Sequence, residues 1–146
     1  MPLGNVELVN ASLQKYNKST SAQIALGKVA IRDTGLTPDG WKQCDGAGAK
    51  GPFVVAVNDL AATTDAYFTG AGAGTIVTVE AGGAIEPGSV VKTDANGDVV
   101  AATLGGTAPD SESSIVGTYL TKDGTSDAAA AADGDAIRIR LGGASV

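Results

Sequence analysis

The stretch "IEPGSVVKTDANGDVVAA", from Ile85 to Ala102, decides the fold class of this sequence. Two valine-rich runs flank the tight loop "DANGD", which has Asn96 and Gly97 at its tip. Asn-Gly is the strongest short signal for a β-hairpin, because both residues tolerate the positive φ that the favoured turn requires. The stretch therefore predicts two antiparallel strands joined by a tight turn.

Segments of the same character lie on both sides of this hairpin. Short runs of apolar and β-branched residues are separated by glycine-rich turns, as expected for half-buried strands. The clearest are "IALGKVAIRD", "PFVVAVND", "GTIVTVEAG", "IVGTYL" and "AIRIRL". The last of these alternates Ile and Leu with Arg, which predicts one buried face and one charged face. The sequence thus predicts an all-β domain, a small β-sandwich or partly open barrel, with at most one short helix.

The N-terminal segment has a different composition. Residues 1–24 are mostly polar, and their apolar positions are spaced too irregularly for an amphipathic helix. They are either a frayed terminus or an extended arm that becomes ordered by adding a strand to a partner's sheet. We divide the chain into an N-terminal arm, residues 1–24, and a single β domain, residues 25–146. The arm residues expected to make apolar contacts are Val6, Leu8, Val9 and Leu13.

The composition limits the classes of partner. The net charge of −6 and the scattered basic residues argue against binding of nucleic acid. No apolar run approaches the length of a membrane span, and the first residues lack the apolar region of a signal peptide, so we expect synthesis in a cytoplasm and no membrane partner. Only 4% of residues are aromatic, so we expect a thin core that is stabilised partly by a partner or by further copies.

The sequence offers little for catalysis. Histidine is absent and Cys44 is the single cysteine, which excludes the Ser-His-Asp and Cys-His arrangements. "GAGAG" at residues 70–74 precedes a predicted strand, so it does not fit a phosphate-binding loop. "DANGD" has its glycine at the fourth position, where a calcium loop needs it at the sixth. We predict no enzyme, catalytic residue, metal site, cofactor or small-molecule substrate.

Large side chains are few, and each has two interpretations. Trp41, Tyr67 and Phe68 are expected in the core by default, and the alternative is that they anchor a protein–protein interface.

Three segments together resemble a known family: "EAGGAIEPGSVVKTDANGDVVAAT", then "IVGTYLTKDG", then the closing "DGDAIRIRL". The spacing of these segments and their pattern of residue types, over roughly residues 52–142, are similar to those of the tailed-phage capsid decoration, or cement, proteins. The resemblance implies a β-tulip fold and homotrimers on the outside of the head. It also implies that the protein bridges neighbouring major capsid proteins and that its N-terminal arm pairs with capsid strands.

We therefore expect a structural virion protein that is made in the host cytoplasm, decorates the capsid exterior and stabilises the shell. Removal of residues 2–20 is expected to weaken attachment while leaving the β domain folded. The alternatives are a carbohydrate-binding or adhesin-like β module, or another virion component such as a head fibre or tail protein. A carbohydrate module needs an exposed aromatic platform, and the supply of aromatic residues here is small.

Overall fold

The computed structural model describes residues 8–9, 13–18, 22–33, 40–59, 67–122 and 129–142. Over these residues the chain forms eleven strands, one short 3-10 turn at Glu112–Ser114 and no α-helix, so the predicted all-β class is confirmed. The strands are β1 (Leu8–Val9), β2 (Leu13–Lys18), β3 (Val29–Arg32), β4 (Gly40–Gln43), β5 (Phe53–Ala56), β6 (Tyr67–Ala71), β7 (Ile76–Glu80), β8 (Val90–Thr93), β9 (Val99–Ala101), β10 (Gly117–Lys122) and β11 (Ala136–Leu141).

Six strands form an antiparallel sheet in the order β1-β7-β11-β10-β8-β9. At its centre Val77 lies opposite Ile139, and Ile139 lies opposite Tyr119. All three side chains are fully buried. The alternation predicted for "AIRIRL" is confirmed, because Ile137 and Ile139 are buried while Arg140 is exposed.

The predicted hairpin is formed by β8 and β9. The Asp94 N–H donates to the Asp98 carbonyl oxygen at 3.0 Å, and three residues, Ala95 to Gly97, make the turn between them. Gly97 has a φ of 80°, as expected for the last position of a three-residue hairpin loop.

The other five strands pair in the order β2-β4-β3-β5-β6, and we call this unit the five-stranded ring. Its first and last strands, β2 and β6, pair antiparallel with Tyr16 opposite Phe68. The ring closes on its other side through the parallel pairing of β2 with β4. This pairing has two residue pairs, Asn17 with Gly40 and Lys18 with Trp41. The pairing of β5 with β6 is equally short, with Val55 opposite Ala71 and Ala56 opposite Gly70.

Two hydrophobic cores result from this arrangement. Successive residues of β5 point to opposite sides, so Val55 belongs to the larger core while Val54 and Ala56 belong to the smaller one. The larger core is built from residues of both sheets and is mainly aliphatic: Val29, Val55, Ala71, Val77, Val79, Ala81, Ile85, Val91, Val99, Val116, Tyr119, Ala131, Ile137, Ile139 and Leu141. The smaller core belongs to the ring and contains Ile24, Ala30, Trp41, Val54, Ala56 and Phe68, with Tyr16 packed against them.

The described parts of the predicted arm are strands of the two sheets. β1 pairs with β7 over two residues, and β2 pairs with β6 over five. Tyr16 packs against the ring core and Ile24 is fully buried in it. The described parts of the arm therefore contribute to the subunit's own packing. Its division from the domain at residue 24 stays a prediction.

Candidate interaction surfaces

The described residues contain no cluster of metal-binding side chains. Within them no three His, Cys, Asp or Glu side chains lie close enough together to hold a metal ion. Cys44 is 1% exposed, and its Sγ lies 3.3 Å from the Gly46 carbonyl oxygen, so it packs as a small buried group. Within the same ranges no helix is sufficiently long and apolar to cross a membrane.

The hairpin tip is a joint between the two sheets. The Gly97 carbonyl oxygen accepts the Val29 N–H at 2.9 Å, and the Gln43 side-chain amide donates to the Asn96 carbonyl oxygen at 3.1 Å. A Cβ on Gly97 would lie 3.1 Å from Gln43 Cγ, so the close approach of the tip to the ring favours glycine. The tight turn predicted at "DANGD" therefore also holds the ring against the six-stranded sheet.

An ion pair completes this joint. Lys28 of the ring donates through Nζ to Asp98 Oδ1, and Asp98 is only 7% exposed. Burial raises the pKa of Asp98, the Lys28 ammonium opposes that change, and the negative charges of Glu80 and Asp94 add to it. Burial is the largest of these influences, and the pKa of Asp98 stays raised although Lys28 is its ion-pair partner.

Asp94 has a structural role in the acidic hairpin loop. Its Oδ1 accepts the N–H groups of Asn96 at 2.8 Å and of Asp98 at 3.0 Å. A carboxylate that accepts amide hydrogens two and four residues later stabilises the turn itself. These contacts give the "DANGD" pattern a structural role.

A cavity of about 730 Å³ lies beside the joint, between the ring and the hairpin tip. Gln23 donates to Asp59 at 2.9 Å, and Lys42 pairs with Asp45 at 3.3 Å. Gln43 both accepts the Ala25 N–H at 3.0 Å and donates to the hairpin tip. The polar side chains of the cavity are thus engaged in holding the local structure together.

The four arm residues that are predicted to make apolar contacts lie in different parts of the chain's structure. Val6 lies outside the described residues, while Leu8 and Val9 form β1. Leu13 begins β2 opposite Ala71, and its side chain is 47% exposed. Leu13 is therefore the arm residue whose accessible apolar side chain the structure describes, and its role in binding a capsid stays a prediction.

The three residues named as possible interface anchors differ in their exposure. Trp41 and Phe68 are 6% and 1% exposed, and both pack in the ring core as the default interpretation expected. The ring centroid of Tyr16 lies 4.9 Å from that of Trp41 and 5.6 Å from that of Phe68. Tyr67 is 72% exposed, so the default expectation of core packing is wrong for this residue. Tyr67 is thus the accessible member of the set, and an interface role for the three stays a prediction.

A loop at residues 103–110 lies at the surface, and we call it the stapled loop. No distinctive sequence pattern indicates it. Asp110 closes its neck: its Oδ2 accepts the Thr103 N–H at 2.7 Å, and its own N–H donates to the Thr103 carbonyl oxygen at 2.8 Å. Lys92 Nζ donates to Asp110 Oδ1 at 2.9 Å. The Thr103 hydrogen bond, and then Lys92, lower the pKa of Asp110. Lys92 lies 18 residues before Asp110, so local sequence patterns do not indicate this contact.

Comparison with known proteins gives a structural match alone. No protein-family model matches this chain, and no curated protein matches it. The structure is similar to the crystal structure of the N base of head fibre gp8.5 of bacteriophage phi29, with a TM-score of 0.64 and 14% sequence identity. The match covers 90% of this chain and 95% of that one. This chain therefore shares its fold, over nearly its whole length, with the base domain of a phage head fibre.

Proposed function

We propose that this chain is a non-enzymatic structural protein of a bacteriophage virion and that it lies on the exterior of the head as the base domain of a fibre. The observation that carries the proposal is the fold likeness to the phi29 head-fibre base, which extends over 90% of this chain and 95% of that one. A likeness of that extent concerns a whole domain and both of its sheets rather than one recurring hairpin.

This proposal places the head-fibre alternative ahead of the expected decoration protein. The three segments that resemble decoration proteins contain β8 to β11 and the last residue of β7, so all of them contribute to the six-stranded sheet. Strands β2, β3 and β4 of the ring lie outside the whole resemblance, residues 52–142, whereas the head-fibre likeness covers 90% of this chain. Either role puts the protein against the major capsid protein, which we propose as its partner.

The described surface favours adhesion to protein over recognition of sugar. All six aromatic residues lie in the described ranges, and Tyr67 alone among them is largely exposed. Sugar-binding β modules usually stack pyranose rings on an aromatic face, and one isolated tyrosine is a small platform for that purpose.

The position of the protein in a particle tests the proposal. Virions labelled with an antibody against this chain should carry the label on the outside of the head in electron micrographs. Label on the tail, or particles that lack the protein, would overturn the head assignment. Heads with and without the protein should also lose their DNA at the same temperature if it is a fibre base. A decoration protein that bridges capsid subunits should raise that temperature.

A single substitution tests the contribution of the arm. Because β2 belongs to the ring, deletion of the whole arm would also damage the fold, so Leu13→Asp is the cleaner change. Attachment to heads should weaken at least about tenfold if Leu13 is buried against the capsid. Ala84→Asp, at an exposed position on another loop, is the control of equal charge and should bind normally. Equal binding by both variants would remove Leu13 from the interface.

A further inference from the structure

The stapled loop has a fixed neck and an unpacked tip. Residues 103–109 are all exposed, and Leu104 is 57% exposed. A Cβ built on Gly105 or Gly106 would meet no atom within 4 Å, so the tip stands clear of the other described residues. The hydrogen bonds of Asp110 therefore order a loop whose side chains are exposed among the described residues. Such preorganisation lowers the entropy lost when the loop binds a partner.

An apolar groove lies next to this loop. It has a volume of about 310 Å³ and is lined in part by Pro52, Phe53, Ala73 and Leu141. Glu112, in the 3-10 turn that follows the stapled loop, also lines it, so the loop and the groove flank the same turn. A cavity of about 150 Å³ lined by apolar residues can hold a benzene molecule, so this groove is large enough for a leucine side chain.

We propose that Leu104 of one copy of this chain inserts into the apolar groove of a second copy. Residues 103–109 carry no charged side chain, and Glu112 is the charged residue among the groove lining. Each copy has a net charge of −6, so two copies repel each other over most of their surfaces. An uncharged loop and a nearly uncharged groove are the pair of surfaces on which two acidic copies can meet.

The contact joins two different surfaces of the chain. A contact of this heterologous kind leaves one free loop and one free groove after the first pairing, so it closes into a ring or extends into a chain of subunits. It does not depend on the proposed virion role. It also offers the support from further copies that the low aromatic content of the chain predicts.

The oligomeric state of the full chain tests the proposal. Light scattering or sedimentation across a wide concentration range should show self-association of the wild type. Leu104→Asp should raise the dissociation constant at least about tenfold, because it places a charge in an apolar groove. Ala73→Arg should do the same from the groove side, since Ala73 is an exposed lining residue. Ala132→Asp and Ala84→Arg, at exposed positions outside both surfaces, are the charge-matched controls and should associate as the wild type does.

A mixture of the two variants tests whether the loop and the groove bind each other. Leu104→Asp keeps an intact groove and Ala73→Arg keeps an intact loop, so the mixture should form heterodimers although each variant alone is monomeric. Melting temperatures equal to that of the wild type, measured at a concentration at which the wild type is monomeric, would show that both variants fold. A monomeric wild type, an unchanged Leu104→Asp oligomer, or a mixture that stays monomeric would each overturn the proposal.

Discussion

The five-stranded ring and the six-stranded sheet bury their apolar side chains in different ways. The sheet uses valine and isoleucine from neighbouring strands, with Val77, Ile139 and Tyr119 in register across its centre. The ring uses aromatic residues, and Tyr16 packs against both Trp41 and Phe68. The sheet therefore depends on many similar contacts, whereas the ring depends on a few large ones.

The two units also follow the order of the chain. β2 to β6, between residues 13 and 71, build the ring, and β7 to β11, between residues 76 and 141, build most of the sheet. Only β1 crosses from the N-terminal segment to the sheet, over two pairs with β7. Each unit is thus largely local in sequence, and the shared larger core and the joint at Gly97 and Asp98 couple them. The difference predicts that substitutions in the ring and in the sheet have unequal effects.

Removal of residues 1–18 should have the largest effect. The deletion takes away β2, its five pairs with β6 and the aromatic ring of Tyr16. We expect a loss of more than about 4 kcal/mol in the free energy of unfolding, or a ring that does not fold. This replaces the expectation from sequence that the domain tolerates loss of the arm. Trp41 is the single tryptophan and lies in the ring, so its fluorescence reports this unit directly.

The matched control for this deletion removes residues 1–12 and keeps β2. Among the described contacts it loses the two β1–β7 pairs, so urea denaturation should show a much smaller loss of stability. If both truncated proteins melt like the full chain, the ring does not depend on its N-terminal strand.

Two glycines compare how the units respond to an added methyl group. A Cβ on Gly117 would overlap the Arg140 carbonyl oxygen and lie 2.9 Å from its carbonyl carbon, so β10 and β11 would have to separate. A Cβ on Gly70 would lie 2.9 Å from Tyr16 Cε2, and a side chain can shift. We expect a loss of about 4 kcal/mol for Gly117→Ala and about 2 kcal/mol for Gly70→Ala in urea denaturation. The opposite order would mean that the aromatic core is the less adaptable one.

Lys28→Met should weaken the joint between the units. We expect the free energy of unfolding to fall by about 3 kcal/mol at neutral pH, because the substitution leaves the buried Asp98 carboxylate without its counter-ion. Lys42→Met is the control, since Lys42 pairs at 3.3 Å with a largely exposed Asp45 and should cost little. The double variant Lys28→Met/Asp98→Asn should recover most of the loss, because it removes the unpaired charge.

The pH dependence of this loss has a definite sign. Burial raises the folded-state pKa of Asp98 above its ordinary value of 3.8, so the folded protein binds this proton more readily than the unfolded chain does. The stabilisation from that proton is complete below 3.8 and is lost as the pH rises through the folded-state pKa. The deficit of Lys28→Met should therefore shrink as the pH falls from neutral towards 3.8. A deficit that is constant with pH would show that Asp98 is not its source.

Local signals in the sequence were enough for much of the six-stranded sheet. The Asn96-Gly97 turn and the alternation in "AIRIRL" each depend on a few neighbouring residues, and both predictions are confirmed. The burial of Trp41 and Phe68 also follows the default expectation for large apolar side chains.

The ring was harder to predict because its contacts are distant in the chain. The sequence of β2, "LQKYNK", is polar, and its partner β6 lies about fifty residues later and overlaps the glycine-rich "GAGAG". The docking of Gly97 on Val29 and the contact of Asp110 with Lys92 have no local signature either. Tertiary pairing determines these structures, so residue patterns alone do not indicate them.

Two tyrosine hydroxyls give the smallest expected difference between the units. In the sheet, the Tyr119 hydroxyl donates to the Ala129 carbonyl oxygen, and the side chain is fully buried. In the ring, the Tyr16 hydroxyl lies 3.5 Å from Gln14 Oε1 in an exposed contact, which is at the limit of a hydrogen bond. Phenylalanine keeps the aromatic side chain in place and removes only the hydroxyl. Tyr119→Phe should therefore lower the free energy of unfolding by about 1 kcal/mol, and Tyr16→Phe by less than about 0.5 kcal/mol. Urea midpoints at equal slope measure both losses. A larger loss for Tyr16→Phe would mean that polar contacts, and not only aromatic packing, hold the ring together.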